Sequence, residues 1–231
     1  MTMQDSKRHE RLLYIDTESM FWAGPPPPGL SYDIIEIGVV ELDLTTLKIV
    51  RERAHFVRPT RWEISDRCTR LTGITPDDIR TARTFPEVLT KVAKEFSPST
   101  ALCCTWGDDA SLIAAACRQH GLPMPIRSVL DLAPLFQSLF LLKQMASLHS
   151  AVSMLGLNFD GVPHGALPDA RNTALLHAEI LRRMRREPDP TALVATADQS
   201  PAMTAFGDKL LAALRPSLTQ AQSTPLMPNN E

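Results

Sequence analysis

The sequence predicts an α/β fold in which helices flank a mixed β-sheet. Three strand-like segments follow one another before residue 57, and a fourth, residues 101–106, lies between two predicted helices. Consecutive strands joined by short turns pair antiparallel, whereas a strand that returns after a helix can pair parallel with an earlier one. We therefore expect the first three strands to be antiparallel neighbours and the fourth strand to lie parallel to the first.

The three early strands are predicted from their apolar patterns, at residues 11–18, 34–42 and 48–56. The second is apolar almost throughout, which is typical of a strand buried on both faces. A tight turn at residues 43–46 joins it to the third strand. The loop before the second strand holds four consecutive prolines, Pro25 to Pro28, which favour an extended chain.

Helices are predicted over residues 85–96, 107–120, 129–142, 147–155 and 168–186. Gly121 marks the end of the second of these, because glycine readily takes the left-handed conformation that terminates a helix. Pro168 favours the start of the last helix, since a proline in the first turn removes no helical hydrogen bond. Residues 57–84, before the first helix, are expected to be mostly loop.

The length of 231 residues fits one α/β domain and a tail. We expect a flexible leader at residues 1–10, one domain at residues 11–187 and a polar tail at residues 188–231. Residues 205–214 within that tail are predicted to form one short helix. No apolar stretch approaches the length that spans a bilayer, and the first residues lack the apolar core of a signal peptide, so no membrane association is expected.

Charge and cysteine content exclude further classes of protein. The formal net charge is −2 at pH 7, so no global basic field is available to hold a long nucleic acid. None of the four cysteines lies in a C-x-x-C pair, which argues against a structural zinc site and against a disulfide framework. A reducing, cytoplasmic location fits this pattern best.

Two carboxylates at the end of the first strand point to metal chemistry. Asp16 and Glu18 are two residues apart, so their side chains face the same side of the strand. Like charges at that distance repel each other, and a divalent cation is their natural partner. Further acids follow at the fourth strand and in the first turn of the last helix, where functional side chains are common in α/β folds.

These acids carry a resemblance to a known family. The patterns Asp16-x-Glu18, Trp106-Gly107-x-Asp109 and His164-x-x-x-x-Asp169 resemble the three motifs of the DEDDh exonuclease superfamily, over residues 11–186. Segments 34–38 (IIEIG) and 71–74 (LTGI) also match positions typical of it. The residues around the third motif are most similar to the branch that trims RNA 3′ ends. The resemblance implies an RNase H-like fold with a five-stranded mixed sheet.

The resemblance also implies the roles of the site residues. Four carboxylates would hold two Mg²⁺ or Mn²⁺ ions and so take part in catalysis: Asp16, Glu18, Asp109 and Asp169. Two such ions neutralise charge on a phosphodiester and activate a water molecule. His164 would be the general base, since the ordinary pKa of histidine, about 6.5, suits proton transfer near neutrality. The pocket for the 3′-terminal nucleotide would be lined by Ser19, Met20, Leu71 and Trp106.

Three points stay open. Asp108 is an alternative third acid, because successive helical residues diverge by about 100° and only one of the two can face the metals; the other would be the helix N-cap. The W-G-x-D spacing of the resemblance favours Asp109. Trp106 is either a core aromatic residue or a platform on which a base stacks. A local cluster of arginines is either a solvated face or a track for phosphates: Arg51, Arg53, Arg58, Arg61, Arg67 and Arg70.

The sequence therefore predicts a metal-dependent 3′→5′ exonuclease that acts on single-stranded RNA or DNA 3′ ends and releases nucleoside 5′-monophosphates. RNA is favoured over DNA. The alternatives are a DNA exonuclease of repair or proofreading, an exonuclease-like module that binds without cleaving, and a hydrolase of very short oligonucleotides. Contact with a 2′-hydroxyl would separate RNA from DNA, and no residue reveals it. The association state is open, with a homodimer as one alternative.

Overall fold

The computed structural model describes residues 9–21, 33–59 and 64–185, and the structural statements below concern these residues. Contacts divide the chain into residues 1–183 and 184–231, and the fold described here is that of the first unit. Most of the expected leader, the proline-rich loop and the expected tail with its helix lie outside the described residues, so those expectations stay predictions.

A six-stranded mixed sheet forms the middle of the fold. Its strands are β1 (Arg11–Ser19), β2 (Ile34–Asp43), β3 (Lys48–Arg58), β4 (Arg83–Thr84), β5 (Leu102–Thr105) and β6 (Ser128–Asp131). Their order is β4-β3-β2-β1-β5-β6. β1, β2 and β3 pair antiparallel, and β5 pairs parallel with β1. The predicted mixed sheet is confirmed, with β4 as an additional strand of two residues.

Seven α-helices flank the sheet in the described part of the chain. They are α1 (Asp66–Thr72), α2 (Pro76–Arg80), α3 (Phe85–Phe96), α4 (Asp109–Gln119), α5 (Leu132–Leu139), α6 (Leu148–Met154) and α7 (Ala166–Arg185). Alternate side chains of β1 point to opposite faces of the sheet. Leu13 packs against α3 and α4 on one face, and Tyr14 packs against α7 on the other. None of the described helices has both the length and the apolar character needed to cross a membrane.

The predicted helix over residues 129–142 is wrong at its start. Residues 128–131 form β6, which pairs parallel with β5, and α5 begins only at Leu132. A short apolar run is compatible with either element, and here the free edge of β5 provides a pairing partner. The carboxylate of Asp131 then ends the strand and begins the helix, because it accepts a hydrogen bond from the Ala133 N–H at 3.0 Å.

The segment 57–84, predicted to be mostly loop, contains two short helices. α1 and α2 have seven and five residues, too few for an apolar stripe to be visible in the sequence. Side chains fix where they begin: the Ser65 hydroxyl accepts from the Cys68 N–H at 3.2 Å, and Thr75 forms a reciprocal capping box with Asp78. The predicted helix over 85–96 is confirmed as α3.

The first turn of α7 packs directly on β2. Gly38 lies opposite Asp16 in the β1–β2 ladder, and a Cβ atom at Gly38 would lie 2.2 Å from the Ala166 carbonyl oxygen. The Glu36 carboxylate, two residues earlier on β2, accepts a hydrogen bond from the Ala166 N–H at 2.9 Å. Because of these two contacts, α7 begins at Ala166, two residues before the predicted start at Pro168.

Gly38→Ala is expected to destabilise the fold, because the added methyl group overlaps backbone atoms of α7. Overpacking of this kind costs roughly 1–3 kcal/mol and lowers the unfolding temperature by several degrees. Thermal unfolding measures the effect. The matched control is Ala54→Val, at the exposed β3 position directly opposite Gly38, which should leave the unfolding temperature nearly unchanged. Equal unfolding temperatures for the two variants would contradict the close packing.

Candidate active site

Three carboxylates from two elements meet at one end of the sheet. Asp16 and Glu18 extend from the same face of β1, and Asp169 approaches them from the first turn of α7. One carboxylate oxygen from each of the three lies within 4.8 Å of the others. The strand alternation that the sequence predicts and the close approach of α7 to β2 together produce this cluster.

The segment that carries His164 is attached to the start of α7. Its upstream end is held by Asn172, whose amide oxygen accepts from the Asp160 N–H at 2.9 Å and whose amide nitrogen donates to the Asp160 carbonyl oxygen at 2.9 Å. His164 has a backbone φ of +65°, a left-handed conformation that is unusual for a residue other than glycine, and its side chain is exposed. The Gly165 carbonyl oxygen accepts from the Asp169 N–H at 3.0 Å.

Asp109 reaches the site from the opposite helix layer. Its Oδ1 accepts two hydrogen bonds from Thr17, one from the backbone N–H at 2.8 Å and one from the hydroxyl at 2.9 Å. Asp109 is buried, whereas Asp108 is exposed and its side chain caps no backbone N–H. Asp109 is not one of the three carboxylates within 4.8 Å, but its charge contributes to raising the pKa of Asp16.

Burial dominates the electrostatics of the cluster. Burial, reinforced by the charges of Asp109, Asp169 and other neighbouring carboxylates, raises the pKa of Asp16 well above its ordinary value. The same two effects raise the pKa of Glu18 to about 8. Burial also raises the pKa of Asp109 and of Asp169 to about 6, although hydrogen bonds to each oppose the rise. Concentrated negative charge with this little solvation requires either protons or cations.

The carboxylates fit a divalent metal ion. Asp169 Oδ1 is buried and has no hydrogen-bond partner among the described residues. An unpaired buried carboxylate oxygen is costly unless a cation or a water molecule completes its coordination. Hard oxygen donors are the ligands that Mg²⁺ and Mn²⁺ prefer. Asp16, Glu18 and Asp169 are therefore candidate ligands, and Asp109 is near enough for its charge to raise the pKa of Asp16.

The four residues predicted to contact the terminal nucleotide lie in different environments. The hydroxyl oxygen of Ser19 is buried without a partner among the described residues, and Leu71 is 46% exposed. Met20 is 2% exposed and packs in the core with Ile35. Trp106 is half-buried, and its indole N–H donates to the Ala146 carbonyl oxygen at 3.3 Å. Ser19 therefore has a hydroxyl without a partner among the described residues, and Leu71 has an exposed apolar surface, and either could contact a nucleotide. Met20 and Trp106 are largely used in packing and in the hydrogen bond to Ala146.

Sequence reasoning missed Thr17 and Glu36. Thr17 points away from Asp16 and Glu18 by strand alternation, so the strand pattern gives it no place in their cluster. Its role depends on Asp109, which is distant in the sequence. Glu36 carried a usable signal: a carboxylate within an apolar, doubly buried strand needs a hydrogen-bond donor. That donor is the first N–H of α7.

Comparison with known proteins agrees with this geometry. Residues 13–177 match the family model described as exonuclease, RNase_T. Mouse 3′-5′ exoribonuclease 1 is 29% identical over 187 residues, which cover 75% of this chain and 54% of the mouse protein. The chain thus spans about half the length of that relative.

Solved structures of related nucleases share the fold. The nuclease domain of 3′hExo, a DEDDh family member bound to rAMP, is 28% identical, with a TM-score of 0.66 and coverage of 78% of this chain and 95% of that domain. A 3′-exonuclease structure that shows 3′-end-specific recognition of a histone mRNA stem-loop is 28% identical, with a TM-score of 0.67 and coverage of 76% and 64%. The resemblance inferred from the three motifs is confirmed, and the chain belongs to the RNase_T exonuclease family.

Proposed function

We propose that this protein is a metal-dependent 3′→5′ exonuclease that hydrolyses single-stranded RNA from its 3′ end and releases nucleoside 5′-monophosphates. The observation that carries the proposal is the cluster of three carboxylates within 4.8 Å, in a chain of the exonuclease family. RNA is supported by the mouse relative, an exoribonuclease, and by the rAMP bound to the 3′hExo nuclease domain. We place the catalytic domain at residues 11–187, which include the family match at 13–177.

The proposed metal ligands are the four acids that the motifs contain: Asp16, Glu18, Asp109 and Asp169. The ions are two Mg²⁺ or Mn²⁺, and when bound they supply charge neutralisation at the phosphate and a lower pKa for the attacking water. Thr17 fixes one oxygen of Asp109 through two hydrogen bonds, so that the other oxygen is available as a ligand. Glu36 holds the start of α7 and thereby the position of Asp169.

His164 is the proposed general base. Its side chain is exposed. Burial raises the pKa of Asp169, and the charge of His164 opposes that rise, so the imidazole is within electrostatic reach of this carboxylate. A base that removes a proton from water must stay open to solvent and must return the proton after each turnover. His164 has a left-handed backbone and precedes the first residue of α7, so it lies outside the helix that carries Asp169.

Substrate binding and location complete the proposal. We propose that Ser19, Met20, Leu71 and Trp106 line the pocket for the 3′-terminal nucleotide, and that Ser19 and Leu71 contact it directly. All four cysteines are buried and free, which supports a reducing, cytoplasmic compartment.

Cleavage assays with a matched pair of acid variants test the proposed function. The wild-type protein should shorten end-labelled single-stranded RNA from the 3′ end with Mg²⁺ and should not do so with chelator. Asp109→Asn is expected to reduce kcat by at least about 100-fold, since even indirect support of a metal ligand contributes about 10–100-fold. Asp108→Asn removes the same charge from the exposed neighbouring position and should leave kcat nearly unchanged.

The same assay separates the alternatives. Preference for matched DNA 3′ overhangs would identify a DNA exonuclease, and binding without cleavage in Mg²⁺ or Mn²⁺ would identify a non-cleaving module. Activity confined to the shortest oligonucleotides would indicate a hydrolase of short fragments. A larger loss in Asp108→Asn than in Asp109→Asn would mean that the third ligand is assigned to the wrong residue.

His164→Ala is expected to reduce kcat by about 10²–10⁴-fold, the usual contribution of general-base proton transfer. Mn²⁺ affinity, measured by titration calorimetry, should stay close to that of the wild type, because the imidazole is not a proposed ligand. His149→Ala, at an exposed histidine of α6, is the matched control and should keep full activity. A His164→Ala protein that loses Mn²⁺ binding would show that His164 is a metal ligand.

The raised pKa values predict how pH and metal ions act together on stability. A carboxyl group whose pKa is higher in the folded chain stabilises the fold at low pH, and this contribution is lost as the pH rises towards the folded-state pKa. For Asp109 and Asp169 that range runs from the ordinary pKa of 3.8 to about 6, and for Glu18 it runs from 4.5 to about 8. A bound cation offsets the loss of stability that comes from ionised carboxylates, and it has no such effect on protonated ones.

Mn²⁺ is therefore expected to raise the unfolding temperature little near about pH 5 and strongly near about pH 8. Thermal unfolding with Mn²⁺ and with chelator, across this range, gives the difference. Glu18→Gln should weaken the pH dependence of this Mn²⁺-induced increase in unfolding temperature, whereas Asp108→Asn should not. An increase in unfolding temperature that is the same at both ends of the range would be inconsistent with the raised pKa values.

A further inference from the structure

Helix α1 is a direct neighbour of the carboxylate cluster. The Cys68 thiol donates to the Ser19 carbonyl oxygen at 3.6 Å, and the Ser65 hydroxyl donates to the Phe21 carbonyl oxygen at 3.3 Å. Burial is the main reason for the raised pKa of the Cys68 thiol, and the charge of Glu18 adds to it. α1 therefore lies against the end of β1, within electrostatic reach of the acids.

The exposed surface of α1 carries two arginines. Arg67, Arg70 and Leu71 are exposed, and Arg67 is three residues from Arg70 and four from Leu71, so the three side chains are neighbours on the helix surface, with the exposed Asp66 beside them and Cys68 buried. The Arg67 guanidinium lies 5.8 Å from the centroid of the Phe21 ring. Across the described parts of the chain, neither Arg67 nor Arg70 forms an ion pair with a carboxylate. Two cations thus lie near a strongly acidic cluster without an ion-pair partner among the residues that the structure describes.

The other arginines of the predicted basic cluster lie in different settings. Arg51 forms an ion pair with Glu41 and lies over the Phe96 ring. Arg53 donates to the neighbouring Glu52 carbonyl oxygen at 2.8 Å. The charge of Arg58 contributes to lowering the pKa of Glu87. Arg61 lies outside the described residues. Among the described arginines of this cluster, Arg67 and Arg70 are the two on α1, the helix that contacts the end of β1.

We propose that Arg67 and Arg70 bind backbone phosphates of the substrate strand on the 5′ side of the scissile phosphate, which rests on the exonuclease function proposed above. A strand that brings its 3′ end to four carboxylates enters a repulsive field, and a net charge of −2 supplies no general attraction. Guanidinium groups bind phosphates bidentately. Arg67 lies one helical turn before Leu71 and Arg70 immediately before it, which places both next to the predicted pocket for the terminal nucleotide. The exposed surface of α1 thus selects a polymeric strand over a single nucleotide ester.

The test compares two substrates and two matched double variants. Arg67→Gln/Arg70→Gln is compared with Arg118→Gln/Arg127→Gln, which removes the same charge from exposed positions on other elements. The substrates are a single-stranded RNA longer than about 16 nucleotides and the p-nitrophenyl ester of a nucleoside 5′-monophosphate, which has one phosphate. The α1 variant should lose kcat/KM on the RNA and keep it on the ester. The control should match the wild type on both.

Salt dependence gives a second measure. Each phosphate contact to a single strand contributes about −0.7 to the slope of log affinity against log salt, so losing two contacts should flatten the slope for kcat/KM on RNA by about 1.4. Arg67→Lys/Arg70→Lys should keep most of the slope, because the charge remains. An unchanged slope, or an equal loss on the ester, would overturn the proposal while leaving the exonuclease function intact. A wild-type protein that cleaves neither substrate would overturn both.

Discussion

The whole site depends on how closely the first turn of α7 approaches β2. Gly38 leaves the space, since any Cβ atom there would overlap the Ala166 backbone, and Glu36 adds a hydrogen bond to the first N–H of the helix. As a consequence, Asp169 lies beside the carboxylates of β1, although burial and repulsion among the carboxylates disfavour their ionised forms. Packing between helix and sheet therefore provides the force that holds together side chains which repel each other. Bound cations would relieve the same repulsion, which couples metal binding to folding.

Charges of opposite sign are separated over a short distance in this fold. The acids lie on β1, α4 and α7. The backbone N–H and the hydroxyl of Thr17 both donate to one oxygen of Asp109, the acid on α4, and so hold it at the site. α1 presents Arg67 and Arg70 on its exposed surface next to that acidic centre. Such an arrangement suits a polyanion whose reacting phosphate meets cations at the centre while its remaining backbone meets arginines. The proposed binding of a nucleic acid thus relies on local charge and does not require a positive net charge.

Much of this architecture followed from local sequence. The antiparallel meander, the parallel fourth strand and the helix over residues 85–96 were predicted from apolar patterns and turn residues, because each pattern was long enough to show its period. The shared direction of Asp16 and Glu18 followed from strand alternation alone. The three motifs together, including the spacing that links His164 to Asp169, suggested the family, and that family is now shown.

The sequence by itself thus determined the order of the main elements and which acids were candidates, since both depend on neighbours in the chain. Only the tertiary structure decided that Asp109 is buried and Asp108 exposed, because Thr17 on β1 selects between them. It also decided that residues 128–131 form a strand, since the short segment Ser128–Asp131 becomes β6 only where β5 offers an edge. Likewise, the packing of Met20 in the core arises from contacts with distant segments. Local patterns fix periodicity and composition, whereas burial and pairing depend on residues that only folding brings together.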